Sequence, residues 1–592
     1  MRTAALLLGA ALLAGCTGGS PRPPEPSAPA RGGIYRTAVE DFGFTDRFDP
    51  VGEYSKLAWG LYSQLLLRTL VTFRHVSGAA GRVLVPDIAT DTGAVSDGGL
   101  TWTFHLKRGI RFGPPVNREV TSRDIEYAFR RIDTRRLAAQ YGFYYDWLIV
   151  GMRGPRDRMP RDIAGIDSSN PNTIVFHLQH PAGDFPMRLA LPATAPVPHE
   201  VAGCVDRLRH HSLRVGYGYE LIATGPYMIR GEDRLRLPCR RLRHISGFDP
   251  VRDLRLVRNP TYDPATDGPD DRQNFIDGVD IRIDTNTTDI FRRIASGNLD
   301  GSIFSTPPKD ELRLLRSSSH VAIHLDPGNE VWSIFLNSVW PPFDDPHVRR
   351  AVSLVVDRDA MIRAFGHYLP ALSTTSIYPW TPSATASSDL ALARQEMRRS
   401  SYDRDRDGRC DGRHCRVIAI APSIVPRTLM FDVLQRELRL IGIDLLGRVE
   451  GGFGFIEPFN PVFVTFEDTD YPDGDAVAQQ LDSSGACPEQ RNLAQVGLTR
   501  RRAIRCGLAR ELGASHRLPP NLDATIASCE RRASAGRTAC WDGFDRTVVH
   551  LAPWVPLLIS DVLTVAGPRV MHYEFDQFTG MISLTHISLS GH

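Results

Sequence analysis

The segment Leu100-Thr-Trp-Thr-Phe-His-Leu-Lys-Arg-Gly-Ile-Arg-Phe112 sets Leu100, Trp102, Phe104 and Leu106 in alternation with Thr101, Thr103, His105 and Lys107. A side-chain period of two puts the apolar set on one face, so the spacing predicts a half-buried strand. Gly109 permits a turn, and Ile110 and Phe112 resume the pattern. In Thr121-Ser-Arg-Asp124, Thr121 can cap a helix and Asp124 can answer it three residues on. Ile125, Ala128, Phe129 and Ile132 follow at helical spacing. A strand, a turn and a capped amphipathic helix in close succession point to a mixed α/β domain.

A chain of 592 residues is too long for one ordinary core, so two or more lobes are expected. Hydrophobic residues make up 42% and the net charge is +2, which fits a globular protein and argues against a general nucleic-acid binder. Only three lysines occur, Lys56, Lys107 and Lys309, leaving 67 of the 70 basic residues as arginine. The arginines are scattered and balanced by acids, as a coding bias would make them. Enzyme signatures are missing from the sequence. No Gly-x-Ser-x-Gly elbow occurs, and no lysine stands in a Walker A loop. His210-His211 lacks a metal-site pattern, and Glu467, Asp468 and Asp470 imitate a hydrolase carboxylate pair without further support.

The N-terminus reads as an export signal. Met1-Arg2 precedes a short apolar run over residues 3–13, which is too brief to span a bilayer. It ends in Leu13-Ala14-Gly15-Cys16. Residues 17–31, rich in Gly, Pro and Ser, read as an extended tether. Residues 551–568 are apolar but interrupted by Pro553, Pro556 and Asp561, so they read as buried strands rather than a membrane span. Without Cys16, eight cysteines remain: 204, 239, 410, 415, 487, 506, 529 and 540. An even number in an exported chain points to disulfides. Nearest-neighbour pairing, Cys204–Cys239, Cys410–Cys415, Cys487–Cys506 and Cys529–Cys540, is one connectivity among several. Zinc is disfavoured because no paired Cys-x-x-Cys spacing exists.

Further elements follow in order. Gly33 to Ala38 reads as a strand, Phe48-Asp49-Pro50 as a turn, and residues 57–70 as a helix with Leu61, Leu65 and Leu66 on one face. Residues 163–166, 173–178, 279–283, 332–337, 417–420 and 461–466 read as strands, and residues 289–296 as a helix stopped at Gly297. Between them stand Thr224-Gly-Pro-Tyr227, Leu256-Val-Arg-Asn-Pro-Thr-Tyr262, Leu299-Asp300 and Pro342-Phe-Asp-Asp-Pro-His-Val-Arg-Arg-Ala351. Each motif alone is weak, since Gly-Pro and Asn-Pro mark turns widely. Their shared order, with the 100–112 strand, resembles the bacterial extracellular solute-binding proteins of family 5, the cluster C, peptide-binding lipoprotein type of the ABC importers. Leu-Ala-Gly-Cys16 resembles the lipobox of such lipoproteins. Residues 570–584 resemble the family's closing strands. The sequence departs from the family at Phe112-Gly-Pro-Pro-Val-Asn117, at an inserted loop over residues 141–161, and in the cysteine-rich run from Cys487 to Cys540.

The resemblance implies an α/β, two-lobed periplasmic-binding-protein-like (type II) fold with an additional α/β domain, three domains in all. The expected division is a signal peptide over 1–15 and a lipidated Cys16 with its tether over 16–31. Lobe I is expected over 32–56, 190–283 and 562–592, an accessory domain over 57–189, and lobe III over 284–561. Implied partners are a peptide or other small solute, the permease and ATPase subunits of an importer, and a membrane through the lipid anchor on the outer face of the cytoplasmic membrane. A monomer is expected, with no nucleic acid and no obligatory cofactor. Other solutes (an oligosaccharide, an opine, a metal chelate), a signalling role or a secreted hydrolase are the alternatives.

Two acidic stretches are candidate sites. In Phe466-Glu-Asp-Thr-Asp-Tyr-Pro-Asp473, the residues Glu467, Asp468, Asp470 and Tyr471 follow a strand, where α/β lobes commonly bind ligands. A peptide needs a carboxylate for its α-ammonium. In peptide-binding relatives an aspartate four residues before the turn proline takes that group, and Asp468 stands four before Pro472. In Asp403-Arg-Asp-Arg-Asp-Gly408, followed by Asp411, carboxylates at alternate positions before a glycine match the start of a Ca²⁺ loop. Asp403, Asp405, Asp407 and Asp411 are the candidate ligands, but His414 stands where the closing glutamate belongs.

Overall fold

The computed structural model describes residues 29–590, apart from 135–136, 138, 155, 210–215, 238–243, 269–270, 367–370, 382–386, 424, 450–458, 488–490, 511–519 and 533. The expected signal peptide, Cys16 and almost all of the tether lie outside the described residues, as do Cys239 and the His210-His211 pair.

The opening segment forms the strand Thr101–His105, with Trp102, Phe104 and Leu106 buried. Leu100 is 37% exposed, because it stands before the paired residues at the strand's entrance. The strand sits second in a four-stranded antiparallel sheet with Ala94–Ser96, Thr173–His177 and Ile166–Asp167. Here the strand expected at 163–166 shrinks to Ile166–Asp167. The helix Ser122–Ile132 starts as its sequence requires, with a reciprocal Thr121–Asp124 capping box. Its Ile125, Ala128, Phe129 and Ile132 are buried against the sheet's apolar face.

A second, mixed sheet pairs Ile34–Val39 in parallel with Gly278–Ile283, which continues antiparallel to Asp253–Arg258 and then Tyr227–Ile229. Its buried residues and those of the first sheet belong to one continuous apolar cluster. The helix expected over 57–70 is shorter. Lys56–Leu61 is α-helical and Tyr62–Leu66 widens into a π turn. Leu67 is then extended, because tertiary partners take the next backbone donors: Thr224 Oγ1 accepts from the Arg68 N–H and Asp87 Oδ2 from the Thr69 N–H.

The third sheet is antiparallel, in the order Ala371–Ser373, Trp554–Ala566, Ala322–Leu336, Val462–Glu467. Residues 551–568 therefore supply a buried strand, as their proline interruptions predict. The paired strands Ala322–Leu336 and Trp554–Ala566 reach two cores. Leu563 and Val565 pack with Ala38, Ile290 and Phe291, whereas Val555, Leu557 and Leu558 pack with Ile334, Val352 and Leu434. The register shifts between Pro327 and Val331, midway along this pair. Against the sheet lies Pro346–Val355, capped by Asp345 with proline at its first position. Thr287–Ala295 ends before Gly297, whose φ of +77° carries the chain out of the helix. Arg416–Ala421 and Asp444–Val449 form a separate parallel pair. Among the described residues after 569, the chain makes short pairs, Val570–His572 with Ser588–Leu589 and Phe575–Asp576 with Met581–Ile582.

Among the described residues, the nearest-neighbour disulfides Cys410–Cys415, Cys487–Cys506 and Cys529–Cys540 are present, and the expected partner of Cys204, Cys239, lies outside them. Among the described residues, no helix is long and apolar enough to cross a membrane.

Candidate functional site

The register shift at Pro327–Val331 opens onto a cleft of about 170 Å³, lined by Lys56, Trp59, Glu330, Asp468, Asp561 and Phe578 among others. Lys56 opens the helix Lys56–Leu61, whose other five residues are buried, so its ammonium is left to reach across. Nζ donates to Glu330 Oε1 at 2.6 Å and lies 2.9 Å from Asp468 Oδ2. Burial alone would lower the Lys56 pKa, but the two carboxylates outweigh it and hold the ammonium above the usual range. Burial pushes Glu330 up, yet Lys56 holds it below the ordinary value. The Ser560 hydroxyl donates to Glu330 Oε2 at 3.2 Å.

Glu467 is the last residue of the strand Val462–Glu467, and Asp468 and Asp470 lie in the turn that follows. The structure brings these three carboxylates together. Burial pushes Glu467 up to about 8, with Asp468 and Asp470 adding to the effect. It pushes Asp470 up to about 7 against the Tyr144 hydroxyl, which donates to Asp470 Oδ2 at 2.7 Å. Asp468 is raised by burial too, with Lys56 opposing. Tyr471 takes a different place. It is 1% exposed, and its hydroxyl donates to Asp184 Oδ2 at 2.8 Å and lies 3.2 Å from Asp475 Oδ2, behind the cleft rather than in it.

Five residues join this corner that the sequence reading did not single out: Tyr54, Lys56, Tyr141, Tyr144 and Glu330. Tyr141 and Tyr144 belong to the inserted loop, and Tyr54, Tyr141 and Trp59 form a chain of rings at 5.2 and 5.9 Å. One signal was available. In a chain that uses arginine 67 times, Lys56 is one of three places with a compact ammonium.

A second ionic cluster lies beside the first and is buried. Arg188 Nε lies 2.8 Å from Asp184 Oδ2 and its Nη2 lies 2.7 Å from Asp475 Oδ2. Arg537 Nη2 lies 2.6 Å from Asp473 Oδ1 and 3.2 Å from Asp184 Oδ1. Burial opposes the Asp184 charge, but the two guanidiniums outweigh it and hold the carboxyl well below the usual range. Asp475 is pushed well above it, by burial and then by Asp184.

In the other acidic stretch, ligand-type oxygens of Asp403, Asp405 and Asp411 lie within 4.8 Å of one another. Asp407 is not in this group, and its carboxylate accepts the Arg409 N–H at 2.8 Å. Asp403 is 2% exposed, and its Oδ1 has no hydrogen-bond partner among the described residues. The Cys410–Cys415 disulfide closes the loop, and His414 stays in the position that offers no carboxylate.

The family model of bacterial extracellular solute-binding proteins, family 5 Middle, matches residues 83–479. The peptide transport periplasmic protein SapA of Salmonella typhimurium is 23% identical over 332 residues, 55% of this chain and 52% of that protein. The matched part of the chain thus spans about half the length of this curated relative. Among solved structures, a clavulanic acid biosynthesis oligopeptide binding protein 2 superposes with a TM-score of 0.74 at 22% identity, over 95% of this chain and 96% of that one. A dipeptide binding protein from Pseudoalteromonas in complex with Met-Leu gives 0.66 at 18% identity, over 95% of this chain and 100% of that one. These likenesses establish the type II periplasmic binding fold.

Proposed function

As the chain belongs to the bacterial extracellular solute-binding proteins, family 5, we propose that it captures oligopeptides between two lobes and delivers them to the permease of an ABC importer. ATP would be hydrolysed by a separate subunit, and this chain performs no covalent step. The observation that carries the reading is the acidic cleft corner at the register shift of the strand pair Ala322–Leu336 and Trp554–Ala566. Asp468 receives the peptide α-ammonium, and Lys56 holds that carboxylate until the ligand arrives. The irregular backbone at residues 327–331 is the hinge, flanked by lobe I over 32–56, 190–283 and 562–592, lobe III over 284–561, and the accessory domain over 57–189. Ligand contacts available only in the closed state drive closure.

The test is native mass spectrometry of ligand released from purified protein. Peptides are expected, and a sugar or chelate without peptide contradicts the reading. Export and anchoring through lipidated Cys16 complete the proposal. Replacing Cys16 by Ser is expected to release the protein from the membrane fraction, and unchanged retention contradicts the anchor.

Ca²⁺ at Asp403, Asp405 and Asp411 is a subsidiary proposal, supported by the buried, unpartnered Asp403 Oδ1. Added Ca²⁺ is expected to raise the melting temperature and a chelator to lower it. An unchanged melt contradicts the site.

A further inference from the structure

Among the described residues, carboxylates in and beside the cleft outnumber the cations that meet them. Glu330 and Asp468 share one ammonium, that of Lys56. Among the described residues, the Asp470 carboxylate accepts from the neutral Tyr144 hydroxyl, and the Glu467 carboxylate has no hydrogen bond or ion pair. Asp561, on another wall of the same cleft, is raised by burial and then by Asp326. Among the described residues Arg427 is a further nearby cation, which stacks on the rings of Trp332 and Phe466 at 5.2 and 5.3 Å and feels the Glu330 charge.

The surplus here gathers several carboxylates in one place. A matched buried site contrasts with it: Asp87 and Asp267 meet Arg68 and Arg272. A buried carboxylate without a counter-charge is costly, and the cost is removed when a cation arrives. Glu467 and Asp470 are part-exposed, so a ligand can reach them.

Aromatic rings border the same carboxylates. Tyr54 is 51% exposed, and its phenol is pushed up first by the Asp470 charge, then by burial, Glu467 and Asp468. Its ring lies 5.2 Å from that of Tyr141, whose phenol is raised by burial and then by Asp470. Ring faces beside carboxylates suit an ammonium or guanidinium, which gains from both.

We propose that Glu467 and Asp470, with the rings of Tyr54 and Tyr141, receive a second positive charge of the ligand, so that the cleft selects peptides with a basic side chain near the N-terminus. The inference rests on the peptide-binding reading and on Asp468 as the α-ammonium site. It deepens that reading by naming the ligand class.

Calorimetric titration of the full-length protein with Arg-Ala-Ala, citrulline-Ala-Ala, Ala-Ala-Ala and spermidine tests it. Citrulline keeps the shape of arginine and removes its charge. The arginine peptide is expected to bind about tenfold or more tightly than the citrulline peptide. The ratio is expected to grow between pH 6 and 9, as Glu467 and Asp470, at about 8 and 7, lose their protons. The double variant Glu467→Gln, Asp470→Asn is expected to bring the ratio to within about twofold. The single variant Tyr54→Leu, at an exposed position, is expected to reduce it in part. Equal affinity for the arginine and citrulline peptides, or a ratio flat with pH, overturns the proposal and leaves peptide binding standing. Spermidine binding without any peptide binding supports the cation site and removes the peptide reading. Binding of none of the four probes overturns both.

Discussion

The two neighbouring ionic clusters use the same residue types to opposite ends. In the buried one, Asp184, Asp473 and Asp475 meet the two guanidiniums of Arg188 and Arg537, which hold Asp184 low. At the cleft corner, Glu330, Glu467, Asp468 and Asp470 face Lys56, and the unmatched acids are driven toward protonation. Matched charge makes a fixed joint, because each group already has its partner. Unmatched charge suits a receptor, because a partner arriving from outside would relieve it.

The sharpest way to break this contrast is to remove one cation from each side. Arg188→Met leaves Asp184 and Asp475 buried beside a lost partner, with an expected loss of about 3–5 kcal/mol in unfolding free energy. Lys56→Met is expected to cost much less, since the Lys56 side chain is 36% exposed and Asp468 is 26% exposed. Denaturant melts of the two variants check the order, and a larger loss for Lys56→Met would erase the distinction.

A pH series sharpens it further, because Asp184 and the cleft-corner acids bear on stability with opposite signs. Asp184 is held low in the fold, so its contribution is present above the ordinary aspartate range and is lost as pH falls. Glu467 and Asp470 are raised from ordinary values of 4.5 and 3.8 to about 8 and 7. Their contribution is complete below about pH 4 and is lost as pH rises through about 7 and 8. Unfolding free energies of the parent and of Glu467→Gln, measured from pH 5 to 9, are expected to converge on the acid side and to separate with rising pH in favour of the variant. Parallel curves contradict the assignment.

The smallest expected effect lies away from both clusters. Thr121→Ala removes one half of the capping box and is expected to cost about 1 kcal/mol, read from the same melts. Its ligand affinity is expected to match the parent's, which separates loss of stability from loss of binding.

Much of the fold was legible because it is written locally. Thr121 and Asp124 stand three residues apart, and Asp345 caps the helix that begins at the very next residue, Pro346. Alternation identified Trp102 and Phe104 as core without any knowledge of what covers them. The helix predicted over residues 57–70 failed at Leu67, where distant groups, Thr224 and Asp87, take the backbone donors. The candidate site was half legible for the same reason. Glu467, Asp468 and Asp470 are neighbours in sequence and stand out as a run. Lys56 meets Glu330 across 274 residues and Tyr144 meets Asp470 across 326, and no local pattern announces such meetings. Tyr471 shows the converse. It lies within the acidic run, yet the turn sends it to Asp184 and away from the cleft.

Titrating one tripeptide into the parent and into Asp468→Ala, with melting temperatures recorded alongside, is the most direct test of the acidic corner as the peptide α-ammonium site. The expected result is saturable binding by the parent and at least about tenfold weaker binding by the variant, with little change in melting temperature. Equal affinity for the two proteins would contradict the assignment, and absence of peptide binding by the parent would contradict the function.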